Sequence, residues 1–138
     1  MKEVLLVEDS PADVYLIQRA VEECGSELHL SVMPDGGEAL AFLRKEAPYT
    51  QVPSPGLIIL DLRLPKRTGD QILPEVRGLP ASHATPIVIL SSASKEIEEA
   101  RCLQLGATAY VQKSANFYAY VDAIKDIVCH WLKPEGLS

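Results

Sequence analysis

The chain lacks the features that mark membrane proteins, secreted proteins and nucleic-acid-binding proteins. No apolar stretch in its 138 residues approaches the ~20 that a membrane-spanning helix needs. Its N-terminal segment is interrupted by Glu8, Asp9 and Asp13, so we find no apolar signal sequence and expect a cytoplasmic protein. The net charge of −6 argues against direct binding to nucleic acid, which requires a basic surface. We therefore expect the partner to be a protein or a small ligand.

Cysteine is scarce, and repeats and linkers are absent. Cys24, Cys102 and Cys129 are odd in number and lack the spacing of a metal site, so we predict free thiols. The sequence contains no internal repeat, no low-complexity segment and no linker between two compact units. The prediction is one domain over residues 1–138, long enough to bury a substantial core.

What is present is an alternation of apolar runs and helical patterns, repeated five times. Runs of about four aliphatic residues, such as 57–60, are typical of strands buried on both faces of a parallel sheet. Strands that alternate with helices require right-handed crossovers and a parallel sheet covered on both faces, which is an α/β fold. The predicted strands are 2–7, 28–33, 57–60, 87–90 and 109–111, and three of the predicted helices are 36–45, 69–77 and 95–105.

Capping residues, glycines and prolines predict where individual helices begin and end. Asp9-Ser10-Pro11 begins the first helix with a capping residue and a proline at or near its first position, and Cys24-Gly25 ends it. Thr68 caps the third helix, which Pro74 should shorten or kink. The last helix, 117–132, has apolar residues at a helical period, and we predict that they form its buried stripe. The residues of this stripe are Phe117, Val121, Ile124, Val128 and Trp131.

Two of the predicted strands lead directly into carboxylates. Glu8 and Asp9 follow the first strand, and Asp61 follows the third. An unpaired buried charge is unfavourable, but the carboxyl ends of strands in an open parallel sheet line the crevice where ligands bind. Clustered carboxylates raise one another's pKa values, and Mg²⁺ relieves their repulsion because it prefers oxygen ligands. The simpler alternative is that Asp9 only caps a helix and Asp61 only opens a turn.

The fourth and fifth strands end in groups that suit a phosphoryl ligand. Ser91 supplies a hydroxyl, and Lys113 supplies an ammonium group just past the last strand. Taken alone, the serine is more often an ordinary loop residue and the lysine a solvated one. Together with the acids, they suit a phosphoryl group bound to a carboxylate, with the cation and the lysine neutralising its charge.

In its motifs the chain resembles the receiver domains of two-component response regulators, over nearly its whole length. Each motif is weak alone, but their order and spacing together are specific. The resemblance implies a flavodoxin-like (βα)5 fold, a doubly wound parallel sheet with strand order 2-1-3-4-5. The motifs are Leu6-Val7-Glu8-Asp9, Leu60-Asp61-Leu62-Arg63-Leu64-Pro65 through Gly69, Leu90-Ser91 and Tyr110-Val111-Gln112-Lys113.

The same resemblance implies a role for each site residue. Asp61 would accept a phosphoryl group from a sensor histidine kinase, in the manner of a signalling protein rather than a conventional enzyme. Glu8, Asp9 and Asp61, with the backbone carbonyl of Arg63, would hold Mg²⁺, for which Mn²⁺ can substitute. The phosphoryl oxygens would then contact the side chains of Ser91 and Lys113. Tyr110 would act as the switch residue: it would turn inward and change the surface of the fourth helix, fifth strand and fifth helix.

A narrower resemblance is to the single-domain regulators that accompany bacterial and cyanobacterial phytochromes. It implies a phytochrome-type kinase as partner. The last helix also carries apolar residues beyond its stripe, which predict a homodimer through that helix unless they only cover the sheet edge. The narrower resemblance depends on the proline-rich connector before Leu57, on Leu64-Pro65-Lys66, on Lys113-Ser114-Ala115-Asn116 and on the long last helix that ends in Trp131. The surplus apolar residues that predict the homodimer are Tyr118, Tyr120, Ile127 and Trp131.

Some positions depart from the commonest receiver pattern. Glu8-Asp9 replaces a pair of aspartates but still supplies two carboxylates. Arg63 stands where a smaller residue is common, so we expect its side chain to reach over the site and alter phosphoryl lifetime. Ser114 replaces the proline after the lysine, which puts the usual cis peptide in doubt because a non-proline cis bond costs about 2.5–4 kcal/mol.

Two other functions stay open from the sequence. A phosphohydrolase of the haloacid dehalogenase type also forms an aspartyl phosphate at a strand end, but it requires a second acid where this chain has Arg63. The other is a receiver-like interaction module that is never phosphorylated, for which Arg63 and Glu8 leave room.

Overall fold

The computed structural model describes residues 2–25, 27–114 and 116–132, and in these residues five strands form one parallel sheet. The motif residue Ala115 and the ends of the predicted domain 1–138 lie outside the described residues. The strands are β1 (Lys2–Val7), β2 (Leu28–Met33), β3 (Leu57–Asp61), β4 (Ile87–Ser91) and β5 (Ala109–Gln112). They lie in the order β2-β1-β3-β4-β5, which confirms the predicted flavodoxin-like α/β fold and its strand order.

Three strands are one residue longer than predicted. The predictions ended at the last aliphatic residue, whereas backbone pairing continues past it and joins Asp61 to Leu90 and Ser91 to Gln112. Backbone N–H and C=O groups pair regardless of the polarity of the side chain. The extension makes Asp61 and Ser91 part of the sheet edge, which restricts their positions more than a loop would.

The helices begin and end close to the predicted residues. The Ser10 hydroxyl accepts a hydrogen bond from the Asp13 N–H, and Pro11 occupies the first turn. Thr68 precedes the third helix, and Pro74 lies inside this short helix. None of the helices in the described part is long and apolar enough to cross a bilayer. The helices of these residues are α1 (Pro11–Cys24), α2 (Gly36–Arg44), α3 (Gly69–Gly78), α4 (Lys95–Leu105) and α5 (Phe117–Trp131).

The core lies in two layers, one on each face of the sheet. Side chains of a strand alternate between the faces, so Leu5 packs with residues of α2 and α3, whereas Val4 packs with residues of α1 and α5. Both side chains are completely buried, and burial of one such side chain contributes about 1.5–3 kcal/mol. Because both faces are covered, polar side chains of the central strands have access to solvent only at the strand ends.

The buried face of α5 differs from the prediction. Ile124 and Val128 are buried as predicted, but the stripe continues through Tyr120. Phe117 and Trp131 are instead 51% and 39% exposed. Residues four apart lie on one side of a helix, and the side with Tyr120, Ile124 and Val128 faces the sheet. The predicted stripe is wrong at both ends because this helix has two overlapping apolar faces, and packing selects one of them.

A disulfide bond joins α1 to α5. Cys24, at the end of α1, is bonded to Cys129 across 105 residues of sequence. The prediction of free thiols is wrong for this pair and confirmed for Cys102, which is buried. The two cysteines meet because α1 and α5 pack on the same face of the sheet, and cysteine spacing along the chain does not reveal that proximity.

Candidate functional site

Three carboxylates meet at the carboxyl edge of the sheet. Asp61 is the last residue of β3 and Glu8 follows β1, and these strands are neighbours that pair Val7 with Leu60. Both acids are buried. Asp13 reaches the same place from the first turn of α1, and oxygen atoms of the three carboxylates lie within 4.8 Å of one another. Of the expected meeting of Glu8, Asp9 and Asp61, the structure confirms that of Glu8 with Asp61, and Asp13 stands in the group in place of Asp9.

Lys113 lies among these carboxylates. Its Nζ donates hydrogen bonds to Asp61 Oδ2 at 2.6 Å, Asp13 Oδ2 at 3.0 Å and Glu8 Oε2 at 3.3 Å. The residue follows β5, and its backbone N–H donates to the carbonyl oxygen of Ser91 at 2.7 Å. The long side chain thus extends from the edge of the sheet to its middle. One positive charge faces three carboxylates, so the site favours a further cation.

Burial and mutual repulsion shift the titration of the site. The pKa of Glu8 is raised from 4.5 to about 8, mainly by burial and then by the neighbouring Asp61 carboxylate. Burial by itself would lower the pKa of Lys113, but its hydrogen bonds to Asp61 and Asp13 outweigh that effect and raise the pKa. Lys113 therefore stays a cation, whereas Glu8 requires a further positive charge, beyond that of Lys113, in order to ionise fully at neutral pH.

Asp9 lies apart from the three carboxylates that meet. Its side chain is exposed and is not a member of the group formed by Glu8, Asp13 and Asp61. The role of Asp9 as a metal ligand stays a prediction. Asp13 was not among the predicted site residues, although its position contained a signal: a side chain in the first turn of a helix points back toward the N-terminus, which here is the end of β1.

The loop after β3 holds the Asp61 carboxylate in place. The Arg63 N–H donates to Asp61 Oδ1 at 2.8 Å, while the Arg63 side chain is exposed. The loop closes where the Gly69 N–H donates to the Leu62 carbonyl oxygen at 3.0 Å. A Cβ atom at Gly69 would lie 2.3 Å from the Asp61 carbonyl oxygen, so only glycine fits there.

Ser91 and Tyr110 contact the same residue of the loop after β4. The Ser91 hydroxyl accepts a hydrogen bond from the Ala93 N–H at 3.0 Å, and the Tyr110 hydroxyl donates to the Ala93 carbonyl oxygen at 2.9 Å. Both side chains are buried, and burial raises the pKa of Tyr110. The tyrosine ring, expected to turn inward on phosphorylation, already points inward in this structure.

The peptide bond after Lys113 is trans. Among the described residues, the cis peptide bond lies at Ala47–Pro48. The Ser114 hydroxyl accepts a hydrogen bond from the Asn116 N–H at 3.0 Å. The serine that replaces the usual proline therefore stabilises the turn into α5 by a side-chain hydrogen bond.

Comparison with known proteins agrees with the geometry. The response regulator receiver domain matches residues 4–125. Response regulator Rcp1 of Synechocystis sp. is 34% identical over 132 residues, which cover 96% of this chain and 90% of Rcp1. The structure of the Mn²⁺-bound form of Rcp1 has a TM-score of 0.89 at 33% identity and covers 100% of this chain and 99% of that one. The structure of the phosphorylated cyanobacterial phytochrome response regulator RcpA has a TM-score of 0.87 at 36% identity, with 96% and 94% coverage.

These similarities confirm both resemblances, to receiver domains and to the phytochrome-associated regulators among them. Oxygen atoms of three carboxylates within 4.8 Å are the donor set of a hard divalent cation, so the cation that we predicted fits this site. A buried aspartate paired with a lysine lies beside that donor set, and the role of Asp61 as phosphoacceptor stays a prediction. The chain belongs to the response regulator receiver domain family and has the phosphorelay site of a two-component response regulator.

Proposed function

We propose that this protein is a switch in which the Asp61 carboxylate accepts a phosphoryl group from the phosphohistidine of a sensor histidine kinase. The main support for this proposal is the 2.6 Å contact between Asp61 Oδ2 and Lys113 Nζ. An Asp61 oxygen attacks phosphorus, the P–N bond of the phosphohistidine breaks, and the imidazole leaves with its electron pair and takes up a proton. The product is an acyl phosphate on Asp61.

The residues around Asp61 each have a part in this transfer. The Arg63 N–H orients the carboxylate through Oδ1, which leaves Oδ2 beside the ammonium group. Lys113 offsets negative charge as it develops on the phosphoryl oxygens. The Ser91 hydroxyl would exchange its bond from the Ala93 N–H for one to a phosphoryl oxygen.

Glu8 and Asp61 are the residues common to the predicted and the observed ligand sets for Mg²⁺. Asp9 and the Arg63 carbonyl complete the set implied by the family resemblance, and Asp13 is the third carboxylate of the observed group. When bound, the divalent cation neutralises charge on the phosphoryl oxygens. Mn²⁺, which Rcp1 binds in its crystal structure, would take the same oxygen ligands.

The output surface is formed by α4, β5 and α5. Because Tyr110 and Ser91 both contact Ala93, a shift of the serine toward a phosphoryl group disturbs the loop that leads into α4. Tyr110 already points inward, so phosphorylation need only stabilise a conformation that this structure contains. A full change from 1:99 to 99:1 would need about 5.5 kcal/mol, and a smaller preference suffices if the inward form is already populated.

We also propose that the kinase is of the phytochrome type and that the protein forms a homodimer. The similarity to RcpA supports a phytochrome-type kinase, and the net charge of −6 supports a protein partner rather than nucleic acid. A homodimer through α5 is supported by exposed Phe117, Tyr118 and Trp131, although Tyr120 belongs to the core. We further propose a cytoplasmic single-domain protein that relays phosphoryl groups rather than turning over a separate substrate.

Phosphorylation by acetyl phosphate with Mg²⁺ tests this function. Mass spectrometry should show a gain of one phosphoryl group in the wild type and none in Asp61→Asn. Asp70→Asn is the matched control, because Asp70 pairs with Arg101 at 2.9 Å on the surface between α3 and α4. A wild type without any gain would favour the interaction module that is never phosphorylated. The phosphohydrolase alternative has lost its support, since the chain belongs to the receiver family.

A further inference from the structure

The hydroxyl of Tyr120 is a buried polar group without a hydrogen-bond partner. Tyr120 is 4% exposed and lies on the face of α5 that packs against the sheet and α1. Among the described residues, its hydroxyl oxygen is the buried side-chain atom that lacks a partner. Proteins seldom leave such a group unsatisfied, because its lost hydration is not replaced. We therefore expect this hydroxyl to form a hydrogen bond in another state of the protein.

Tyr120 packs against α1, the helix that carries Asp13 of the site, and the site's charges act on its hydroxyl. Burial is the main cause that raises the pKa of Tyr120, and Asp13 has the largest effect among charged groups, ahead of Lys113, Glu8 and Asp61. Asp13 is on α1, which packs against α5. The unpartnered hydroxyl thus lies on the face of α5 that packs against the helix of Asp13.

Asp13 depends on an ammonium group that the phosphoryl group also needs. Lys113 Nζ donates to Asp13 Oδ2 at 3.0 Å and is shared with Asp61 and Glu8. If Lys113 turns toward phosphoryl oxygens on Asp61, the hydrogen bond to Asp13 weakens. A partly buried carboxylate without a donor is unfavourable, and that loss would oppose phosphorylation.

We propose that Asp13 and Tyr120 are positioning residues that act as a relay: the Tyr120 hydroxyl donates to the Asp13 carboxylate when Lys113 moves to an anionic tetrahedral group on Asp61. The relay satisfies both the hydroxyl and the carboxylate in the phosphorylated state. It rests on the proposed function, because it requires Lys113 to bind the phosphoryl group. It also explains why α5 has a tyrosine at a core position that packs against α1.

Binding of beryllofluoride, a phosphoryl analogue, in the presence of Mg²⁺ tests the relay. Tyr120→Phe should weaken binding about tenfold, the lower range for a hydrogen bond to a charged group. In an Asp13→Asn background the same substitution should change the affinity by less than about twofold, because its partner is already altered. Tyr49→Phe is the control, since the Tyr49 hydroxyl donates to the Glu38 carboxylate at 2.6 Å on an exposed surface. Fluorine NMR titration measures each affinity.

A spectroscopic signal separates this role from a structural one. The ultraviolet difference spectrum on beryllofluoride binding should contain a tyrosine component that disappears in Tyr120→Phe and in Asp13→Asn. Equal weakening by Tyr120→Phe in both backgrounds, or no weakening in the wild-type background, would overturn the relay alone. A wild type that does not bind beryllofluoride would overturn the proposed function, and the relay with it. Tyr120→Phe should fold normally, because it removes an unsatisfied hydroxyl and creates no cavity.

Discussion

The Lys113 ammonium lies 2.6 Å from the Asp61 carboxylate, although 52 residues separate them in the sequence. The contact crosses β4, and the same ammonium also bonds to Asp13 and Glu8. Lys113 therefore offsets part of the negative charge of the site before any ligand binds, and it lies where the proposed function needs a group that binds a phosphoryl group on Asp61.

Replacing Lys113 should destabilise the protein in a way that Mg²⁺ reverses. Lys113→Gln leaves three carboxylates facing one another, so we expect a loss of about 1–3 kcal/mol, less than for a fully buried pair because the side chain is partly exposed. Urea unfolding with and without Mg²⁺ measures the loss and its recovery. Lys95→Gln removes an exposed pair with Glu99 and should have little effect. A similar loss in both variants, or no recovery with Mg²⁺, would contradict the prediction.

Stability should fall as the pH rises in the absence of divalent cations. Burial raises the pKa of Glu8 from 4.5 to about 8, so between these values the folded protein binds more protons than the unfolded chain. The stabilising contribution is complete below the unfolded pKa and is lost as the pH rises through the folded one. Urea unfolding between these two pH values should show this slope, and Glu8→Gln should flatten it. An unchanged slope in that variant would assign the effect to another group.

A methyl group at Gly69 should disrupt the site, because its Cβ would lie 2.3 Å from the Asp61 carbonyl oxygen. The backbone must move, and we expect Gly69→Ala to lose about 1–3 kcal/mol of stability and to accept phosphoryl groups from acetyl phosphate more slowly. Gly78→Ala at the other end of α3 is the control, since nothing lies within 4 Å of its added Cβ. Thermal unfolding and mass spectrometry provide the two measurements, and equal behaviour of the variants would refute the steric argument.

Reduction of the Cys24–Cys129 bond should lower the stability of the protein. The bond closes a loop of 105 residues, and a disulfide of this kind contributes about 2–4 kcal/mol by restricting the unfolded chain. Thermal unfolding with and without a thiol reductant measures the effect. Cys24→Ser should unfold at the temperature of the reduced wild type and be insensitive to the reductant. A wild type that is equally insensitive would show that the bond does not form in solution.

Much of the site follows from local sequence. Aliphatic runs such as 57–60 form strands wherever both faces of a sheet are covered, and in parallel strands the residues that follow meet at one edge. This rule predicts that Glu8, Asp9, Asp61 and Lys113 come together, and the structure brings together all of these except Asp9. The chemistry was predictable because it depends on which residues terminate the strands.

Only the tertiary structure decided what the helices contribute. Asp13 enters the site, Cys24 finds Cys129, and Tyr120 rather than Phe117 faces the core, all because of the way α1 and α5 pack on the sheet. Helical periodicity allows more than one buried face, and the rotation of a helix about its axis is set by the side chains it meets. The strands and their terminal acids were determined by the sequence itself, whereas the surroundings of those acids depend on contacts between residues about a hundred positions apart.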